Sequence, residues 1–196
     1  MMNIEIMLDK AYLWKDREYP AAERPGKMDL ILKGSRGRLF CTCYMAGGAG
    51  KHPVVIICHG FPGNEKNLDL AAALRRVGFH VMSFHYSGSW GSDGNFSFGN
   101  CLEDVKTVFD YIVREPELQA DTERVFLWGH SMGGFLAYHM MVEYSPSYRK
   151  AHHQDTPDYR PAGAVLAMPA DFAAMMLETE KNPGKKEEAL EIFKGQ

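Results

Sequence analysis

The sequence predicts an α/β fold, a mostly parallel, doubly wound sheet preceded by an antiparallel hairpin. Three observations predict it. From Val54 onward, short apolar runs alternate with stretches whose apolar residues recur every three or four positions, the pattern of parallel strands joined by covering helices. Val54-Val55-Ile56-Ile57-Cys58 is apolar at every position, as a strand covered on both faces must be. Ahead of it, two strand-like runs at 28–32 and 38–44 flank Lys33-Gly34-Ser35-Arg36-Gly37, whose glycines suit a tight hairpin turn.

Each element follows from its residues. The first 28 positions are poorly patterned, and Pro20 and Pro25-Gly26 break any helix that starts near Ile4. Gly47-Gly48-Ala49-Gly50 reads as a flexible link; a phosphate-binding loop would need Lys-Ser or Lys-Thr after it. Leu70, Leu74 and Val77 mark a helix that Gly78 ends, and 79–84 is the next strand. Leu102, Val105, Phe109 and Ile112 mark a second helix, with Asn100 and Glu103 as its expected capping pair. Arg124 to Trp128 is a strand, Gly129 to Gly134 a sharp turn, and 135–144 a helix. Residues 145–161 read as a polar loop, 164–168 as another strand, and 171–180 and 185–194 as two helices around Asn182-Pro183-Gly184.

A chain of 196 residues with 45% hydrophobic content supports one domain with a sizeable core. A formal charge of -3 gives no field that recruits nucleic acid or an anionic membrane, so the expected partner is a small molecule. The start lacks a basic segment followed by an apolar run, and nowhere do about 18 apolar residues occur in succession. A cytoplasmic protein without membrane association is therefore expected. Its four cysteines, spread over strands and a helix start, are expected to be reduced and buried.

The chemistry centres on Gly129-His130-Ser131-Met132-Gly133-Gly134. In a GxSxG turn between strand and helix, the serine takes a strained backbone conformation that lifts its hydroxyl off the sheet edge. The positions two before and two after it must lack side chains, and Gly129 and Gly133 do. The helix that starts at Met132 aims free N–H groups and the positive end of its dipole beside that hydroxyl. A second motif, His59-Gly60-Phe61-Pro62-Gly63-Asn64, follows the Val54 strand directly. Its glycines let backbone N–H groups face a bound carbonyl, with the N–H of Phe61 as natural partner to that of Met132 across an oxyanion.

These two motifs, in order with the Tyr86-Ser87-Gly88-Ser89-Trp90-Gly91-Ser92-Asp93-Gly94 loop between them, resemble the α/β-hydrolase superfamily. The nearest likeness is to bacterial cinnamoyl- or feruloyl-type carboxylesterases and serine aminopeptidase-like hydrolases, over about residues 28 to 175. The resemblance implies a serine hydrolase without cofactor, with Ser131 as nucleophile, Phe61 and Met132 as oxyanion donors, and residues 86–94 bordering the acyl pocket. It also implies an acid and then a histidine downstream of the nucleophile, after a helical cap. The expected organisation is one incomplete domain over 1–196, with its core at about 28–170 and a cap starting at 171–196.

Ser131 needs a general base, because an isolated hydroxyl is a weak nucleophile at neutral pH. None of the eight histidines has the expected place. His130 adjoins the serine and projects away from it, His59 belongs to the Gly60 loop, and His139 lies two turns along the helix. His52, His80 and His85 precede the turn. His152 and His153, near Asp155 and Asp158, read either as a substituted base or as part of a solvated loop, and their spacing matches no metal signature. Asp171 reads either as the orienting carboxylate or as the N-cap of the helix that follows it. Asp93 and Asp104 are assigned no catalytic role, the first in a Gly-Ser turn and the second on a helix flank.

Two functions are consistent with these residues. One is an esterase-like serine hydrolase acting by acyl transfer on an ester or amide, inactive or weak as this chain because the acid and histidine are missing. The other is a non-catalytic module that binds an acyl ligand or a partner chain, including a second copy, through the exposed sheet edge at 164–168.

Overall fold

The computed structural model describes residues 10–61, 67–155, 158–169 and 181. Six strands form one sheet in the order β1-β2-β4-β3-β5-β6. They are β1 Gly26–Gly34, β2 Gly37–Met45, β3 His52–Cys58, β4 His80–Phe84, β5 Ala120–His130 and β6 Gly163–Ala167. Strands β1 and β2 pair antiparallel from Gly26↔Met45 to Gly34↔Gly37, the expected hairpin, and β2 joins β4 antiparallel. The other pairs, β3 with β4, β3 with β5, and β5 with β6, are parallel.

The connections are helical: α1 Leu68–Arg76 between β3 and β4, α2 Phe98–Arg114 between β4 and β5, and α3 Met132–Glu143 between β5 and β6. The chain steps from β3 to β4 in one direction, then back past β3 to β5. Right-handed crossovers therefore put α1 on one face and α2 and α3 on the other. The period-2 alternation of β3 supplies both interiors. Val54, Ile56 and Cys58 join the core with Val105, Phe109, Leu136 and Met140 of α2 and α3. Val55 and Ile57 join Ala71 of α1 and Val81 on the opposite face.

Several expectations change. Helix α2 starts at Phe98, one turn before the expected cap. Ser97 Oγ accepts the N–H of Asn100, whereas Glu103 pairs with Lys106. The apolar stripe explains the earlier start, because Phe98 and Cys101 extend it backward by one turn. Within the expected polar loop lies a fourth helix, α4 Pro146–Ala151, with Ser145 as N-cap and Pro146 in its first turn. The Gly47 link is packed, not loose: a Cβ at Gly47 would lie 2.8 Å from the Tyr19 ring, and Gly48 N–H donates to Glu23. Asp104, expected on a helix flank, is on the buried side of α2 and fully buried. All four cysteines are free and buried as expected, and burial pushes the thiols of Cys41, Cys43 and Cys58 up to about 12. Among the described residues no helix is long and apolar enough to cross a membrane.

Candidate active site

Parallel sheets bind ligands at the carboxyl ends of their strands, where neighbouring connections depart to opposite faces. Here that point lies at the ends of β3 and β5, and both motifs sit there. Strand β5 ends at His130, α3 begins at Met132, and Ser131 alone makes the corner, partly exposed, with φ 53° and ψ -119°. An L-residue at positive φ with this ψ is strained, a conformation that glycine takes without penalty. The corner is held from both sides. Ser131 N–H donates to the Ala167 carbonyl of β6, and Ser131 O accepts the N–H groups of Gly134 and Phe135. The first intrahelical bonds thus start at Gly134, leaving the Met132 and Gly133 amides in the turn whose N–H groups point out of the helix start.

Glycine is required at the expected places, and the reason is backbone contact. A Cβ at Gly129 would overlap the carbonyl of Gly133, and one at Gly133 would overlap the carbonyl oxygen of Cys58 and lie 2.7 Å from that of His59. The β3 loop also comes close. A Cβ at Gly60 would lie 3.3 Å from His130 Nδ1, His130 O and Ser131 Cβ, so Gly60 lies directly beside the serine.

That loop is itself clamped. His59 is buried, and its Nδ1–H donates to the Gly60 carbonyl at 2.8 Å, the backbone role expected of it. The buried phenol of Tyr86 donates to the His59 carbonyl at 3.1 Å, with the two rings 4.4 Å apart. The Phe61 ring rests against Phe96 at 5.1 Å. Behind Tyr86, Asp104 accepts both the N–H and the hydroxyl of Ser87 at 2.7 and 2.8 Å. Burial raises the Asp104 carboxyl above its usual range against the pull of those two donors, and burial raises the Tyr86 phenol well above its own. Sequence reading missed the Asp104 and Tyr86 contacts, whose partners lie 17 and 27 positions away.

The histidines lie at several places in the fold. His52 lies against the carbonyls of Gly48 and Gly78, and His80 accepts the Ala46 N–H, its imidazole lowered to about 4 by burial and by the neighbouring His52. His85 bonds to the Trp90 carbonyl, His130 stacks over Trp128, and His139 faces Glu143 at 3.6 Å. His152 is held in its own helix by the Tyr148 carbonyl and ring, and His153 follows it, exposed, at φ 54°. Among the described residues no three His, Cys, Asp or Glu side chains form a metal-binding group. Asp171 lies outside the described residues, as do Pro62 to Lys66. Asp93 is bound to Arg38 through both carboxylate oxygens, a link between loop and hairpin. A cleft of about 700 Å³ opens elsewhere, among Glu123, Tyr144, Tyr159 and Arg160 at the start of β5, roughly 26 Å along the strand from Ser131.

Residues 50–155 match the family described as serine aminopeptidase, S33. The chain belongs to that family of hydrolases. Rat lysophosphatidylserine lipase ABHD12 is 28% identical over 138 residues, covering 69% of this chain and 31% of the lipase. The chain thus spans about a third of the length of such curated relatives. An α/β serine hydrolase homologue from Coxiella burnetii superposes with a TM-score of 0.50 at 27% identity, over 60% of this chain and 57% of that one. A carboxylesterase-like structure from Lactobacillus plantarum reaches 0.59 at 21% identity, over 75% and 61%, and shares the fold. These likenesses place the chain in the α/β-hydrolase superfamily, as its motifs imply.

Proposed function

We propose that this chain carries the nucleophile and oxyanion-binding part of an esterase-like serine hydrolase acting by acyl transfer on a small ester or amide. The observation that carries the reading is the Ser131 corner, strained and partly exposed, with Gly60 close beside it. In this reading the Ser131 hydroxyl attacks the substrate carbonyl, and the N–H groups of Phe61 and Met132 stabilise the tetrahedral oxyanion. Collapse of that intermediate breaks the ester or amide bond and expels the alcohol or amine, leaving an acyl-serine. Water then attacks the acyl-serine, freeing the carboxylic acid and restoring the Ser131 hydroxyl. The proton of each nucleophile passes through a general base to the group that leaves. In this reading none of the chain's eight histidines has the place of that base, and this chain by itself binds substrate or turns it over slowly. The chain is one incomplete domain with its core at about 28–170, in a reducing, cytoplasmic setting, in keeping with its four free core thiols. The lysophosphatidylserine lipase relatives favour an ester over an amide as the first substrate to try.

A fluorophosphonate probe tests this directly. Prolonged incubation is expected to label Ser131, with labelling abolished in Ser131→Ala. A chain that stays unlabelled, or one labelled equally after the substitution, would remove the hydrolytic reading. A second reading, a non-catalytic module that pairs through β6, draws support from the exposed Val165 and Leu166 on that outer strand. It also draws on the apolar groove of about 600 Å³ among Leu74, Phe79, Phe126, Trp128 and Val165. Under it the chain self-associates in gel filtration and the probe stays silent.

A further inference from the structure

We infer that Tyr86 is a positioning residue for the oxyanion donor on Phe61, acting through the His59 carbonyl; this rests on the hydrolase reading above. The N–H of Phe61 and the C=O of Gly60 belong to one planar peptide unit and point in opposite directions. Whatever fixes the Gly60 carbonyl therefore fixes the direction of the Phe61 N–H. That carbonyl is held by His59 Nδ1–H, and His59 is held at its own carbonyl by the Tyr86 phenol.

The phenol is a firm anchor. Tyr86 is wholly buried and packs edge-on against Phe84, with ring centroids 5.0 Å apart. The next residue, Ser87, is tied through both its N–H and its hydroxyl to Asp104 in the middle of α2. The His59 carbonyl oxygen also lies close to Gly133, whose missing Cβ lets the loop approach the serine corner. The α2 carboxylate, the segment after β4, the β3 loop and the corner are thus linked by short contacts. A donor aimed in advance stabilises an oxyanion without reorganising during the reaction, whereas one free to rotate loses part of that effect.

Tyr86→Phe deletes the phenol hydroxyl and keeps the ring. With the fluorophosphonate in excess, the limiting rate constant for Ser131 labelling is expected to fall about tenfold, with half-saturation unchanged. Ile112→Val, a core substitution in α2 with a comparable effect on melting, is expected to keep the wild-type rate. That control separates lost positioning from lost stability. In a chain carrying 15N-phenylalanine, the Phe61 amide resonance is expected to shift in Tyr86→Phe and not in Ile112→Val. Equal labelling rates for wild type and Tyr86→Phe, or an unmoved Phe61 resonance, would overturn the inference while leaving the hydrolase reading intact. A wild-type chain that is never labelled would remove both.

Discussion

Gly133→Ala is the sharpest test of the corner. A Cβ at this position would overlap the Cys58 carbonyl oxygen and stand 2.5 Å from its carbon and 2.7 Å from the His59 oxygen. Non-bonded carbon contacts settle near 3.5 to 4.0 Å, so the start of α3 and the end of β3 must part by roughly 1.5 Å. Neither side can yield by rotating a side chain, since both are backbone and Cys58 is fully buried. Overpacking costs about 1 to 3 kcal/mol, and a clash against backbone falls at the upper end. At about 2 to 4 °C per kcal/mol for a domain of this size, about 3 kcal/mol lowers Tm by about 6 to 12 °C. Gly26→Ala is the matched control, because nothing lies within 4 Å of its Cβ. Surface changes of that kind stay within about 0.5 kcal/mol. Thermal unfolding followed by circular dichroism at one scan rate measures both. If Gly133→Ala melts with Gly26→Ala, the close approach of the corner to β3 is wrong, and with it the account of why the turn needs glycine there.

Ser131→Gly relieves the φ 53°, ψ -119° conformation. It is expected to raise Tm by about 2 to 4 °C, from about 1 kcal/mol of strain, while fluorophosphonate labelling disappears. A lower Tm would refute the strain. Asp93 supplies a pH signature. Side-chain hydrogen bonds from Arg38, reinforced by its backbone N–H, bring the Asp93 carboxyl down to about 2. A carboxyl whose folded value lies below its unfolded value of about 4 stabilises the fold above that pH, and the contribution fades as pH falls towards about 2. Asp93→Asn is expected to melt below wild type at pH 7, with the gap closing between about pH 4 and pH 2; a gap independent of pH would show that the Arg38 pairing is not its source.

The strand-corner-helix unit was legible in the sequence because everything that shapes it is local. The apolar run into β5, the glycines at 129 and 133 and the helical spacing after Met132 constrain neighbouring residues of one chain. The hairpin and the all-apolar β3 were legible for the same reason. The helix start that was misplaced and the helix that was missed also carried local signals. Ser97 stands three residues before Asn100, and Ser145-Pro146 opens α4 within the stretch whose polar composition read as loop.

Tertiary structure alone decided what holds the site in place. Asp104 is a helix residue like any other until the β4-to-β5 crossover brings Ser87 against it, and only then is its carboxylate buried and bonded. Tyr86 reaches the His59 carbonyl because β3 and β4 are parallel neighbours whose ends meet at one edge. Sequence determined the corner through steric limits on a few consecutive dihedrals. Contacts between residues 17 or 27 positions apart depend on how the crossovers pack, and no local pattern specifies that.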